Sequence, residues 1–326
     1  MKILVAGGAG YLGSVLSPML AARGHEVTVA DACWFGCHLP EGIPLIETDL
    51  FGLNEGQMAG FDRVVFLAGL SNDPMAEYSP ARNFIENAAL PAYLAFCAKK
   101  AGVRRFVYGS SCSIYGFTDD RTSTEDSPVW CPYPYGISKL QGERGVMQLA
   151  GDGFAPVALR QGTVNGHSPR MRFDLIVNTM FKCAVTEGRI VVNHPDIWRP
   201  LVDIRDTAEA FCLACEAKDG LTGVFNIAYG NFTVGNVAEM VAGELGRLAG
   251  ARPRVEINRN ADLRNYKVDC SRAREQLGFN PQYDVAAITR SLHEHLAGYG
   301  DLSDEKYYNI RVFRRMHPET PTGGRV

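Results

Sequence analysis

At 326 residues, with 46% hydrophobic and 21% charged residues, the chain is long enough to bury a large core and has the make-up of an ordinary globular protein. Its net charge of −3 gives nucleic acid no electrostatic foothold, and no apolar run reaches the roughly 18 residues a membrane span requires. Nine scattered cysteines and an N-terminus that enters a strand without a signal-peptide pattern lead us to expect a cytoplasmic protein. Cys212 and Cys215 have no second Cys or His pair to complete a metal site, so no metal is expected.

The chain opens on Lys2-Ile3-Leu4-Val5-Ala6, a buried strand, which empties into Gly7-Gly8-Ala9-Gly10-Tyr11-Leu12-Gly13. One glycine makes the turn, one lets the backbone approach a diphosphate, and one lets the following helix, 12–23, lie close on the strand. Amides at the helix start then hold the diphosphate, helped by the helix dipole. A second strand, 25–30, ends on Asp31. An acid about 20 residues beyond the glycines can accept both ribose hydroxyls of an adenosine and would repel an added phosphate, which selects NAD over NADP.

Further strands are expected at 44–47, 62–69 and 103–108, with a helix over 80–101 between the last two. Strands alternating with helices imply a doubly wound parallel sheet, with ligands beyond its carboxyl edge. Pro91 is awkward inside 80–101, and a break with Asn87 as cap would relieve it.

The fifth strand runs into Gly109-Ser110-Ser111-Cys112-Ser113-Ile114-Tyr115-Gly116, and a polar loop leads to Pro134-Tyr135-Gly136-Ile137-Ser138-Lys139. Tyr135 and Lys139 are four apart and share a helix face. An ammonium beside a phenol lowers the phenol's pKa, making Tyr135 a usable acid and base, with Ser111 guiding the proton. Tyr115 and Tyr133 have no Lys four residues on and are expected to pack or line the site.

Together these residues resemble the extended short-chain dehydrogenase/reductases, in their NAD-dependent nucleotide-sugar epimerase/dehydratase branch. The motifs are the glycine turn, Asp31, Asp49-Leu50, Leu67-Ala68-Gly69, Ser110 to Gly116, Tyr135 with Lys139, and Trp198-Arg199-Pro200-Leu201-Val202-Asp203-Ile204-Arg205-Asp206. The resemblance implies an NAD-binding Rossmann domain over 1–166, rejoined by about 200–230, and a smaller α/β nucleotide-sugar-binding domain over 167–326. It places Gly7, Gly10, Tyr11, Leu12, Gly13, Asp31, Asp49, Leu50, Leu67, Ala68, Gly69, Tyr135 and Lys139 on the cofactor. Ser111, Cys112, Ser113, Thr163, Arg199 and Arg259 are placed on the substrate.

It also implies a homodimer through the helices at 80–101 and 135–150, and a reaction that begins with oxidation of a sugar hydroxyl. Return of the hydride would make an epimerase; release of the keto sugar would make a dehydrogenase. The family's dehydratases carry Asp and Glu where this chain has Cys112 and Ser113, which argues against water elimination. A Tyr-Phe-Asn segment of many epimerases is Gln161-Gly162-Thr163 here, and a usual His is Asp203.

Overall fold

A computed structural model describes residues 1–258 and 265–318. The strands β1 (Lys2–Ala6), β2 (Glu26–Asp31), β3 (Leu45–Glu47), β4 (Arg63–Phe66) and β5 (Arg105–Ser111) form one parallel sheet with Ala155–Gln161 and Gly223–Ile227. Across the sheet the order is Gly223–Ile227, Ala155–Gln161, β5, β4, β1, β2, β3. Ile3, Leu4, Val5 and Ala6 are all buried, as a central parallel strand covered by helices on both faces requires. The chain departs from β1 to one side and returns through β4 on the other, so the switch point lies between them, above the glycine turn.

The first helix, α1, spans Gly13–Ala22. Gly7 adopts φ +84°, and a Cβ there would stand 2.5 Å from the backbone nitrogen of Ala68; at Gly13 it would meet Gly8 Cα at 2.4 Å. These two glycines are therefore fixed by turn geometry and by close packing of α1 on β1.

The expected single helix at 80–101 is instead Pro80–Phe84, a π-helical turn Ile85–Ala89 and Leu90–Lys100, with no cap at Asn87. The widened turn answers the problem of Pro91: the carbonyl of Asn87 accepts from Tyr108 Oη (3.2 Å). Asn87 is fully buried, its Nδ2 donating to Leu70 O, Asn83 Oδ1 and Ser138 Oγ. Helix Pro134–Met147 packs against this turn, and a Cβ on Gly142 would lie 2.2 Å from the Asn87 carbonyl.

Beyond the main sheet, Thr163–Asn165, Trp198–Asp203 and Gly230–Thr233 form a three-stranded sheet, and Arg189–Asn193 pairs with Arg254–Asn258. Phe117–Ser123, within the stretch expected to be a polar loop, is a strand paired with Asn265–Val268. Helices Ile176–Glu187, Val234–Ala249 and Val285–Glu294 bury a separate core that includes Phe173, Phe181, Val241 and Leu292. Asp203, the unusual residue at a His position, is fully buried; it caps Ile204–Glu216 and takes both Nε and Nη2 of Arg205 at 2.9 Å. Among the described residues no helix is long and apolar enough to cross a membrane.

Candidate active site

A cleft of about 770 Å³ opens above the carboxyl ends of β1, β4 and β5. Gly7, Gly10, Tyr11, Leu12, Gly13, Asp31, Asp49, Leu50, Leu67, Ala68 and Gly69 all line it. So do Ser111, Ser113, Tyr135, Lys139, Thr163 and Arg199. The structure thus gathers residues separated by almost two hundred positions into one space.

Asp31 accepts from the amides of Ala9 (3.0 Å) and Cys33 (2.8 Å), which fixes the carboxylate between the glycine turn and the loop after β2. Burial pushes its pKa up against the pull of those amides. Asp49 caps a short 3₁₀ turn by accepting from Phe51 N (3.0 Å), with Leu50 beside it. Tyr11 points its ring away into the other core, where Oη donates to the carbonyl of Gly166 (2.7 Å).

Do these residues fit a dinucleotide? The turn brings helix-start amides to the cleft wall, and Asp31 stands where adenosine ribose would follow. A buried guanidinium, Arg170, has its Nε and Nη1 without hydrogen-bond partners beside the same space. Donors at the turn, an acceptor for hydroxyls and an unmatched cation suit a diphosphate-bridged nucleotide.

At the other end, β5 delivers Ser111, and Pro134–Met147 delivers Tyr135 and Lys139. Ser111 Oγ accepts from Ser113 N (3.1 Å), and its hydroxyl acts on the Tyr135 phenol to pull its pKa down. Lys139 Nζ lies 4.5 Å from the centroid of the Tyr108 ring. Burial pulls this ammonium down to about 7, with the carboxylate of Glu143 opposing.

The expectation that Lys139 lowers Tyr135 is corrected here. Burial, reinforced by the charge of Asp73, pushes the phenol up to about 12, and the opposing pulls come from Ser111 and Arg172. Burial is the largest cause of the shift in both groups.

Cys112, expected against the substrate, is fully buried, and its thiol donates to the carbonyl of Arg160 (3.1 Å). The 3₁₀ turn Cys112–Tyr115, capped by Ser111, rotates the thiol inward and leaves Ser113 on the cleft. Tyr115 is a packing residue: its hydroxyl binds Thr124 O and Asn226 Oδ1. Arg199 reaches the cleft wall, its guanidinium 5.5 Å from the Tyr266 ring centroid and its Nη1 donating to Trp198 O (3.0 Å). Arg259 lies outside the described residues.

Several cleft residues were not assigned from sequence, among them Asn72, Asp73, Arg170, Arg172 and Asp174. Arg172 holds Asp174 through two hydrogen bonds (2.8 and 3.1 Å), and Asn72 Nδ2 donates to the same carboxylate (3.1 Å). The run Ser168-Pro-Arg-Met-Arg offers a cationic signal, but nothing local says which Arg turns inward.

A parallel doubly wound sheet with a glycine turn, an acid at the end of the second strand and a Ser–Tyr–Lys cluster in one cleft defines a dinucleotide-dependent enzyme of carbon–oxygen redox chemistry. Residues 3–228 match the NAD dependent epimerase/dehydratase family, and the chain belongs to that family. NAD is its cofactor.

A curated relative, the UDP-glucose 4-epimerase of Corynebacterium glutamicum, is 28% identical, covering 93% of this chain and 98% of its own. Among solved structures, MoeE5 in complex with UDP-glucuronic acid and NAD superposes with TM-score 0.80 at 26% identity, over 91% of this chain and 99% of its own. The UDP-glucose 4-epimerase of Thermus thermophilus in complex with NAD gives 0.78 at 25% identity, over 92% and 100%.

Proposed function

We propose that this protein is a nucleotide-sugar 4-epimerase acting on a nucleoside-diphosphate sugar, and that it works as a homodimer. The observation that carries the reading is the convergence of Ser111, Tyr135 and Lys139 on the cleft that the glycine turn also enters. Held in this cleft, NAD would supply the hydride acceptor and donor for carbon four of the sugar.

Tyr135 receives the proton of the sugar's 4-hydroxyl on its phenolic oxygen and returns it to the inverted alcohol. Ser111 donates to that oxygen, favouring the deprotonated form, and Lys139 in its protonated state supplies further positive charge. Thr163 and Arg199, on the far wall, suit the diphosphate of the sugar donor: a hydroxyl and a forked cation. Arg259 is proposed as a second diphosphate ligand from its position in the sequence. With Cys112 turned inward, no carboxylate pair stands directly after Ser111 to drive elimination of water.

The test is incubation of the NAD-loaded protein with a panel of nucleotide sugars, following product mass and NADH absorbance. A new isomer of unchanged mass without net NADH is the expected result. Loss of two hydrogens with stoichiometric NADH would instead make the protein a dehydrogenase, and loss of water a dehydratase. Tyr135→Phe should abolish turnover while NAD stays bound.

A further inference from the structure

Arg170 lies in the loop between Thr163–Asn165 and Ile176–Glu187. Its backbone N–H donates to Ser168 Oγ (3.3 Å), and Ser168 Oγ donates to the carbonyl of Tyr11 (2.7 Å). The loop is thereby tied to the glycine turn. The side chain is only 3% exposed, with the guanidinium carbon 3.9 Å from the Phe35 ring centroid. Nη2 donates to Asn309 Oδ1 (2.5 Å), and Asn309 Nδ2 donates to Ser71 Oγ (2.6 Å), so a polar chain spans from the loop to the segment that follows β4.

What this arrangement lacks is an acceptor. Nε and Nη1 are buried and unpartnered, and no described carboxylate stands within ion-pair distance of the guanidinium. Asp31 and Asp174 act on it only at longer range, Arg172 repels it, and burial pulls its pKa down to about 9. A buried cation with two empty donors is costly unless an anion completes it. Arg170 lines the cleft that holds the diphosphate turn.

We infer that Arg170 is a diphosphate anchor for the cofactor, reaching it from the loop tied to the glycine turn, and that Asn309 ties the C-terminal helix Asn309–Met316 to that anchor. The inference rests on NAD being the cofactor and adds the residue that holds its charge. The cation comes from a loop outside the main sheet and its tether from the C-terminal helix, so cofactor retention depends on the C-terminal part of the chain.

The test uses full-length protein stripped of NAD and titrated with NAD, ADP-ribose and adenosine, by calorimetry or by the fluorescence of Trp34 at the cleft wall. Arg170→Met is expected to weaken NAD and ADP-ribose by about 10-fold to 100-fold, to leave adenosine unchanged, and to flatten the salt dependence of NAD binding. Arg170→Lys should fall between. Asn309→Ala, which keeps the cation and removes its tether, should weaken both diphosphate ligands by a smaller factor.

Equal loss for adenosine would show that Arg170 only shapes the adenosine pocket, and unchanged NAD affinity in folded Arg170→Met would remove the anchor altogether; either result overturns the inference. If Arg170→Met does not fold, wild-type affinity for NAD and ADP-ribose in both Arg170→Lys and Asn309→Ala overturns it. Failure of the wild-type protein itself to bind NAD would overturn the cofactor assignment and the inference together, a result distinct from all of these.

Discussion

Arg160 grips Glu143 with two hydrogen bonds in the interior, Nε to Oε2 at 2.9 Å and Nη2 to Oε1 at 2.6 Å, one helical turn beyond Lys139. Ser110 Oγ donates to the same carboxylate (2.6 Å), and Arg160 Nη1 donates to Tyr115 Oη (2.8 Å). Both side chains are almost wholly buried, at 6% and 4% exposure, so neither charge has water to fall back on. The pair fixes the helix Pro134–Met147 against the strand Ala155–Gln161 and sets the field in which Lys139 titrates.

Removing one partner strands the other. Glu143→Ala or Arg160→Leu should each cost about 3–5 kcal/mol in chemical denaturation, and the double variant should cost less than their sum. Additive losses would mean that the two charges do not depend on each other.

The depressed pKa of Lys139 makes a pH-dependent contribution to stability. The unfolded chain holds the Lys139 proton up to about pH 10.4, whereas the folded protein releases it near 7. Between these values the unfolded state binds more protons, so this group's penalty is largest below pH 7 and disappears as the pH rises towards 10. Buried thiols such as Cys212 and Cys215, pushed up by desolvation, act in the opposite sense above about pH 8.5. The difference between wild type and Lys139→Met cancels their contribution. Without cofactor, Lys139→Met should melt higher at pH 7, with an advantage that shrinks by pH 9. A gap independent of pH would place the Lys139 titration outside this range.

The same residue shows where sequence reasoning stops. The glycine turn is legible because its demands are local: a positive φ at Gly7 and a close approach at Gly13 admit no side chain. Tyr135 and Lys139 are legible because helical periodicity puts them on one face. Their charge states are not, since both follow from burial by segments distant in the chain. The π turn at Ile85–Ala89 escapes for a related reason. Pro91 forbids an ordinary interior turn, but capping and widening both relieve it, and only the fit of Gly142 and Tyr108 against Asn87 selects widening. The inward rotation of Cys112 is set by a single 3₁₀ turn, which residue types alone do not specify.

Ser111 has two duties that substitution can separate. Its Oγ accepts from Ser113 N to cap the turn, and its hydroxyl pulls the pKa of the Tyr135 phenol down. Ser111→Ala should lower kcat by roughly 10-fold to 100-fold and move the alkaline rise of the kcat–pH profile to higher pH, with NAD affinity unchanged. Ser111→Thr keeps the hydroxyl and should retain most of the activity. A loss of kcat with an unmoved pH profile would mean that Ser111 positions the sugar without tuning Tyr135.

The proposed dimer has a surface to match it. Phe84, Ile85, Tyr93 and Phe96 are 52%, 46%, 38% and 47% exposed along Pro80–Lys100, and Ile137 is 41% exposed on the neighbouring helix Pro134–Met147. Large apolar side chains at helical spacing on one face are costly in water, and a stable interface needs about 800 Å² per partner. Two such helices from each of two copies, packed about a two-fold axis, would cover the stripe and hold the helix bearing Tyr135 and Lys139 from behind. A charge at its centre should prevent this: Phe96→Glu is expected to sediment as a monomer at concentrations where the wild type is a dimer, and to lose thermal stability on dilution no further than the monomer does. If the wild type sediments as a monomer throughout the micromolar range, the stripe must have another partner and the homodimer is wrong.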